Sequence, residues 1–154
     1  MHNKYTFLQS VMSNSLNNLL VILEKGKAHA AANNIPEADF INAKLADDMM
    51  PLSRQVQIAS DNAKGGMAQL SGTTAPVMED TEATFDELIS RVQRTIDYVQ
   101  SFSVESFVNA DNVQITFKWM PGKFVSSQEY VENYLLNNFF FHVVTAYDIL
   151  RHKG

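Results

Sequence analysis

From Tyr5 to about Ala32 the apolar residues Phe7, Leu8, Val11, Met12, Leu16, Leu19, Leu20 and Leu23 recur at steps of three and four. That spacing is the stripe of an amphipathic helix. Asn33-Asn34 and Ile35-Pro36 close it, and Pro36 is placed to open a short helix around Glu37 to Asn42. A second long helix is predicted with Asp47 or Asp48 at its start, Pro51 in its first turn, and Leu52, Val56, Ala59, Ala63, Met67 and Leu70 on one face. Gly65-Gly66 near its end either admits a close neighbour or bends the helix. After a loop around Pro76, a third helix is predicted with Asp80 or Thr81 as its cap and Phe85, Leu88, Ile89, Val92, Ile96 and Val99 as its buried stripe.

Between Val113 and Val125 the period drops to two. Val113, Ile115, Phe117 and Trp119 alternate with Gln114, Thr116 and Lys118, and "MPGKF" turns the chain, so a small β-hairpin is expected. Ser126 or Ser127 then caps a fourth helix running to about His152, which carries Tyr130, Tyr134, Leu135, Phe139, His142, Ala146 and Ile149. Four long helices with one apolar stripe each must bury those stripes against one another. The expected fold is therefore all-α: an antiparallel four-helix bundle with a small hairpin inserted between helices three and four, in one domain over residues 1–154.

Composition narrows the function classes. The 154 residues carry 12 Lys+Arg against 17 Asp+Glu, a net charge of −5, with the cations scattered, which argues against a nucleic-acid groove or an anionic membrane surface. Cysteine is absent, which removes disulfides, thiolate metal sites and cysteine nucleophiles. The N-terminal stretch interrupts its apolar residues with Gln, Ser and Asn, unlike a signal peptide, and no apolar run approaches the ~20 residues that span a bilayer. A soluble, cytoplasmic protein is expected.

The candidate chemistry gathers around His142. It falls in line with Leu135, Phe139, Ala146 and Ile149, so it is expected to face the interior, neutral near pH 7 because burial beside Phe139 and Phe141 disfavours the imidazolium. Gln55 shares the direction of Asp48, Leu52 and Ala59, which places it to hydrogen-bond His142 or a ligand. Asp48 has two readings, a helix cap or the partner of His142 in an acid/base dyad. Trp119, with Phe117 and Tyr134, is read either as a lid over a small-molecule pocket or as core and interface packing.

The segments "LADDMMPLSRQVQIASDNAKGGMAQLSG", "EDTEATFDELISRVQRTIDYV" and "NNFFFHVVTAYDILRHKG", in this order, resemble the domain-of-unknown-function 1993 family, a branch of the DinB/YfiT-like four-helix bundles. The resemblance implies the bundle fold, a cavity and homodimers. In metal-binding relatives of that superfamily three histidines converge, one from the second helix and an H-x-x-x-H pair from the fourth. His142 matches the first of the pair, Ala146 stands where the second would be, and the second helix has no histidine, Asp48 being its nearest match. A zinc- or nickel-type site needs three or four ligands around one point. His142 and His152 are separated by ~15 Å of helical rise, His29 lies toward the end of helix one, and His2 is on the terminus.

The expected protein is thus a bundle with a small-molecule pocket near Asp48, Gln55, Trp119, Tyr134 and His142, a degenerate metal site and no cofactor, forming a homodimer. Two other classes compete with it. One is a metal-dependent transferase or hydrolase related to DinB-like enzymes; the other is a structural or dimerisation protein without a ligand.

Overall fold

The structure is a computed structural model and describes residues 4–117 and 119–154. His2 and Lys118 lie outside the described residues. The helices are α1 (Lys4–Ala32), α2 (Glu37–Ile41), α3 (Leu52–Ser71), α4 (Phe85–Gln100), α5 (Ser127–Tyr130) and α6 (Leu136–His152), with 3₁₀ turns at Val104–Phe107 and Ala110–Asn112. Strands β1 (Gln114–Thr116) and β2 (Phe124–Ser126) form the hairpin, antiparallel, with Ile115 opposite Val125.

The predicted stripes supply the core. Met12, Leu16, Leu19 and Leu23 of α1 meet Leu52, Val56, Ala63 and Met67 of α3, Leu88, Val92 and Val99 of α4, and Leu135, Phe139 and Ala146 of the last helix in one buried cluster. Phe7 departs from its stripe and is 66% exposed.

Two helix starts differ from expectation. α3 begins at Leu52 with Pro51 as its cap, and Asp47 and Asp48 lie in an exposed turn before it. The cause is local: proline bars the preceding residue from helical geometry, so a helix cannot run from Asp48 through Met50 into Pro51. The free N–H of Leu52 is instead taken by the Ala43 carbonyl at 2.9 Å. α4 is capped by Thr84 rather than Asp80 or Thr81, in a reciprocal box with Glu87. Of the two serines offered for the last helix, Ser126 is the cap, boxed with Glu129.

Helix directions follow from paired contacts. Gln9 reaches the Val99 carbonyl while a side chain at Gly26 would meet Phe85, so α1 and α4 are antiparallel. His142 meets Gln55 while Leu135 meets Gly66, so α3 and α6 are antiparallel as well. Tyr5 touches Ser127 and Gly26 touches Leu150, however, so α1 and the last helix run in the same direction, and α3 and α4 must do so too. The chain therefore goes up, down, down and up. Segment 72–84 makes this feasible, since at ~3.4 Å per residue it can return along the ~30 Å of α3.

A hub pins that return segment. Arg91 of α4, fully buried, donates to the Glu79 carbonyl and to Glu82 at 3.0 Å and to Asp61 of α3 at 2.9 Å, and pairs with Asp80 at 3.0 Å. Arg54 also pairs with Asp80, and Gln57 donates to Glu82 at 2.9 Å.

Between α5 and α6, Val131–Leu135 forms one wide π-helical turn, in which the Leu136 N–H reaches the Val131 carbonyl. Asn137 donates its side-chain amide to the Glu132 carbonyl at 3.2 Å, supplying a local partner beside the turn. Leu135, at the end of this turn, fits against Gly66 of α3.

Candidate functional site

His142 is half-buried at the edge of the α6 core stripe, which runs through Leu135, Phe139, Val143, Ala146 and Leu150. The side chain expected to face the interior is therefore only partly enclosed. Its Nδ1 lies 2.6 Å from Oε1 of Gln55, itself buried, and Nε2 of Gln55 donates to the Met50 carbonyl at 3.0 Å. This chain assigns the proton. The Met50 carbonyl can only accept, so it holds the NH₂ of the Gln55 amide, and the remaining oxygen faces His142. Nδ1 is then the donor and Nε2 carries the bare lone pair. The ring of Phe141 stands edge-on to the imidazole at 5.1 Å.

Burial lowers the pKa of His142 below the ordinary value of about 6.5, and the positive charge of Arg54 adds to the shift. The neutral imidazole is favoured in the folded state, so below pH 6.5 the unfolded chain binds a proton more readily than the folded one. Stability from this group is complete above that pH and is lost as pH falls through the window beneath it. We expect the thermal midpoint to fall between pH 7.5 and pH 5.5, and His142→Gln to flatten part of that slope. Carboxylate titration is common to both proteins, so parallel curves would show that His142 carries no part of the slope.

The remaining predicted site residues are placed elsewhere. Asp48 is exposed in the turn before α3, and the bonded partner of His142 is Gln55. Tyr134 is ~12 Å earlier along the helix axis. There it packs on Phe117 at 4.8 Å and Tyr130 at 5.8 Å, with Trp119 stacked on Phe117 at 4.9 Å. Trp119 is 66% exposed, so it forms the outer edge of an aromatic shelf on the hairpin. Burial, aided by the neighbouring Tyr134, pushes the Tyr130 hydroxyl pKa upward and keeps it protonated. The five residues therefore divide into a His142–Gln55 pair, a separate shelf of Trp119 and Tyr134, and a solvated Asp48.

The donor set does not fit a resident metal ion. His142 offers one free nitrogen, its α3 neighbour is an amide, and Ala146 is fully buried with no donor at the position of a second histidine. Among the described residues no three His, Asp or Glu side chains are grouped to hold a metal. Sequence reasoning missed the Arg91 hub and the placement of Arg54 near His142. The clue was the acidic run Glu79, Asp80 and Glu82 after Pro76, which has no cation of its own within the loop.

The sequence matches the family described as "Domain of unknown function (DUF1993)" over residues 5–154. Among solved structures it is similar to the crystal structure of a DinB family member protein from Shewanella denitrificans. Identity is 37%, the match covers 99% of this chain and 90% of that one, and the TM-score is 0.92. No curated protein matches.

Proposed function

Because the chain belongs to the DUF1993 family of DinB-like bundles, we propose that it is a one-domain small-molecule-binding protein whose recognition group is the bare Nε2 of His142, working without a resident metal. The observation that carries this reading is the relay from the Met50 carbonyl through Gln55 to His142. An imidazole whose tautomer is fixed from behind presents a preorganised acceptor, suited to a ligand hydroxyl or N–H. The resemblance to metal-binding DinB-like bundles implies further histidines beside this position; among the described residues no such group of ligands stands there, which leaves the imidazole for hydrogen bonding. Among the described residues no helix is long and apolar enough to cross a membrane, and a soluble, cytoplasmic role is part of the proposal.

The homodimer is part of the proposal. Phe140, Phe141 and Val144 are exposed on neighbouring turns of α6, outside the contact with α1, and this apolar patch favours covering by a second copy.

The test is NMR of the histidine nitrogens, with metal analysis and light scattering on the same sample. At pH 8 the Nδ1–H tautomer of His142 is expected, and Gln55→Leu should mix the tautomers, since it removes the acceptor. A hydroxyl-bearing fragment that binds should shift Nε2. Stoichiometric zinc or nickel in protein purified without chelators, lost in His142→Gln, would instead establish the metal-dependent transferase or hydrolase reading. A monomer at tens of micromolar would remove the dimer.

A further inference from the structure

We propose that the cleft between the C-terminal halves of α1 and α6 is a second binding site, for a small organic carboxylate with an apolar body about one ring in size. The cleft encloses about 290 Å³ and lies away from His142, on the side of α6 that meets α1. Its apolar lining includes Phe40 from α2 and Leu150 and Tyr147 from α6. Gly26 sets its depth. A Cβ there would stand 3.0 Å from Leu150 and 3.1 Å from Phe85, tighter than ordinary contact, so any larger residue would press on these side chains beneath the cavity.

The charged side chains of the lining are both cations. Lys25 of α1 and Arg151 of α6 border the cleft, with the imidazole of His29 and the backbone of Gly154 beside them, and no Asp or Glu side chain is among its lining residues. Among the described residues neither Lys25 nor Arg151 takes part in an ion pair, a property they share with Lys44, Arg94, Lys123 and Lys153, but these two border the same cavity. In a chain of net charge −5 with 17 acidic residues, a cleft bordered by two cations from different helices and by no Asp or Glu side chain favours an anionic ligand group. Helix dipoles account for part of it, because His29 and Arg151 stand in the last turns of their helices, where positive charge is favoured. They do not account for Lys25, about two turns before the end of α1 and beyond the reach of that effect.

Size and charge together select the ligand. An apolar pocket of this volume takes a body of one ring or a short branched chain, near the lower limit for small-molecule sites. A carboxylate at its mouth would meet the guanidinium of Arg151 from one helix and the ammonium of Lys25 from the other. Phosphate alone would leave the apolar lining unused, and a neutral ring would leave the cations unmatched.

The probes are phenylacetate and its neutral analogue phenylacetamide, titrated into the full chain and followed by backbone amide NMR. Phenylacetate is expected to shift Gly26, His29 and Arg151 in a saturable manner while leaving the amides of Gln55 and His142 in place. Phenylacetamide should bind about tenfold more weakly, as loss of charge-assisted bonds implies. Lys25→Gln/Arg151→Gln alters two exposed side chains, so its thermal midpoint should stay near the wild-type value, and it should bind acid and amide equally. Shifts absent from the cleft would overturn the proposal, as would equal binding of acid and amide by the wild type or full discrimination retained in the double variant.

Discussion

Arg91→Ala is expected to destabilise the fold by about 3 kcal/mol, because it removes the fully buried cation shared by Asp61, Asp80 and Glu82 and leaves the buried Glu82 carboxylate without an ion-pair partner, while the more exposed Asp61 and Asp80 keep Lys64 and Arg54. The hub joins α3, α4 and the return segment, so its loss should also free residues 79–82 from the bundle. Arg91→Lys should recover only part of the stability, since an ammonium cannot reproduce the planar fork that serves carboxylates on two sides. The measurements are denaturant midpoints for the three proteins and the rate of proteolysis within 72–84. A loss of under about 1 kcal/mol for alanine would mean that the carboxylates find solvent without unfolding anything.

Gly66→Ala is the second large effect, with an expected loss of about 1–3 kcal/mol from overpacking. A Cβ at Gly66 would stand 2.6 and 2.7 Å from the two methyl carbons of Leu135 and 3.2 Å from its Cγ, and Leu135 is fully buried with little room to retreat. The adjacent glycine is the control. Nothing lies within 4 Å of a Cβ at Gly65, so Gly65→Ala should stabilise the protein by up to ~1 kcal/mol through helix propensity alone. Leu135→Ala in the Gly66→Ala background should cost less than in the wild type, because the new methyl fills part of the space the leucine vacates. Equal thermal midpoints for the two alanine variants would show that the helices separate freely at this point.

Much of this fold is legible in the chain because amphipathic periodicity is a local property. The α3 and α4 stripes come directly from spacing, and Gln55 follows from sharing a face with Leu52 and Ala59. The errors arise where one local signal overrides another. Asp48 has the chemistry of a cap, but Pro51 delays the helix past it; Asp80 has it too, but is drawn to Arg54 and Arg91, while Thr84 and Glu87 make the box. Helix direction is not encoded in any single stripe, since it depends on where segment 72–84 delivers the chain. Arg91 was hidden for the same reason: its partners lie on another helix and in a loop, and spacing carries no information about them. The antiparallel relation expected throughout holds for α1 with α4 and for α3 with α6.

The wide turn at Val131–Leu135 also has a meaning as a phase relation. Each residue of an α-helix advances ~100° around the axis, so one residue more or less upstream rotates everything downstream by that amount. Ser126 and Glu129 anchor one end of the helix, and Gly66 receives Leu135 at the other side of the turn. The inserted residue therefore determines the angular setting at which His142 reaches Gln55 and Tyr147 lines the α1 cleft. Among relatives with an uninterrupted α-helix here, positions aligned to His142 and Tyr147 would point in other directions, so correspondence in sequence would not guarantee correspondence in space.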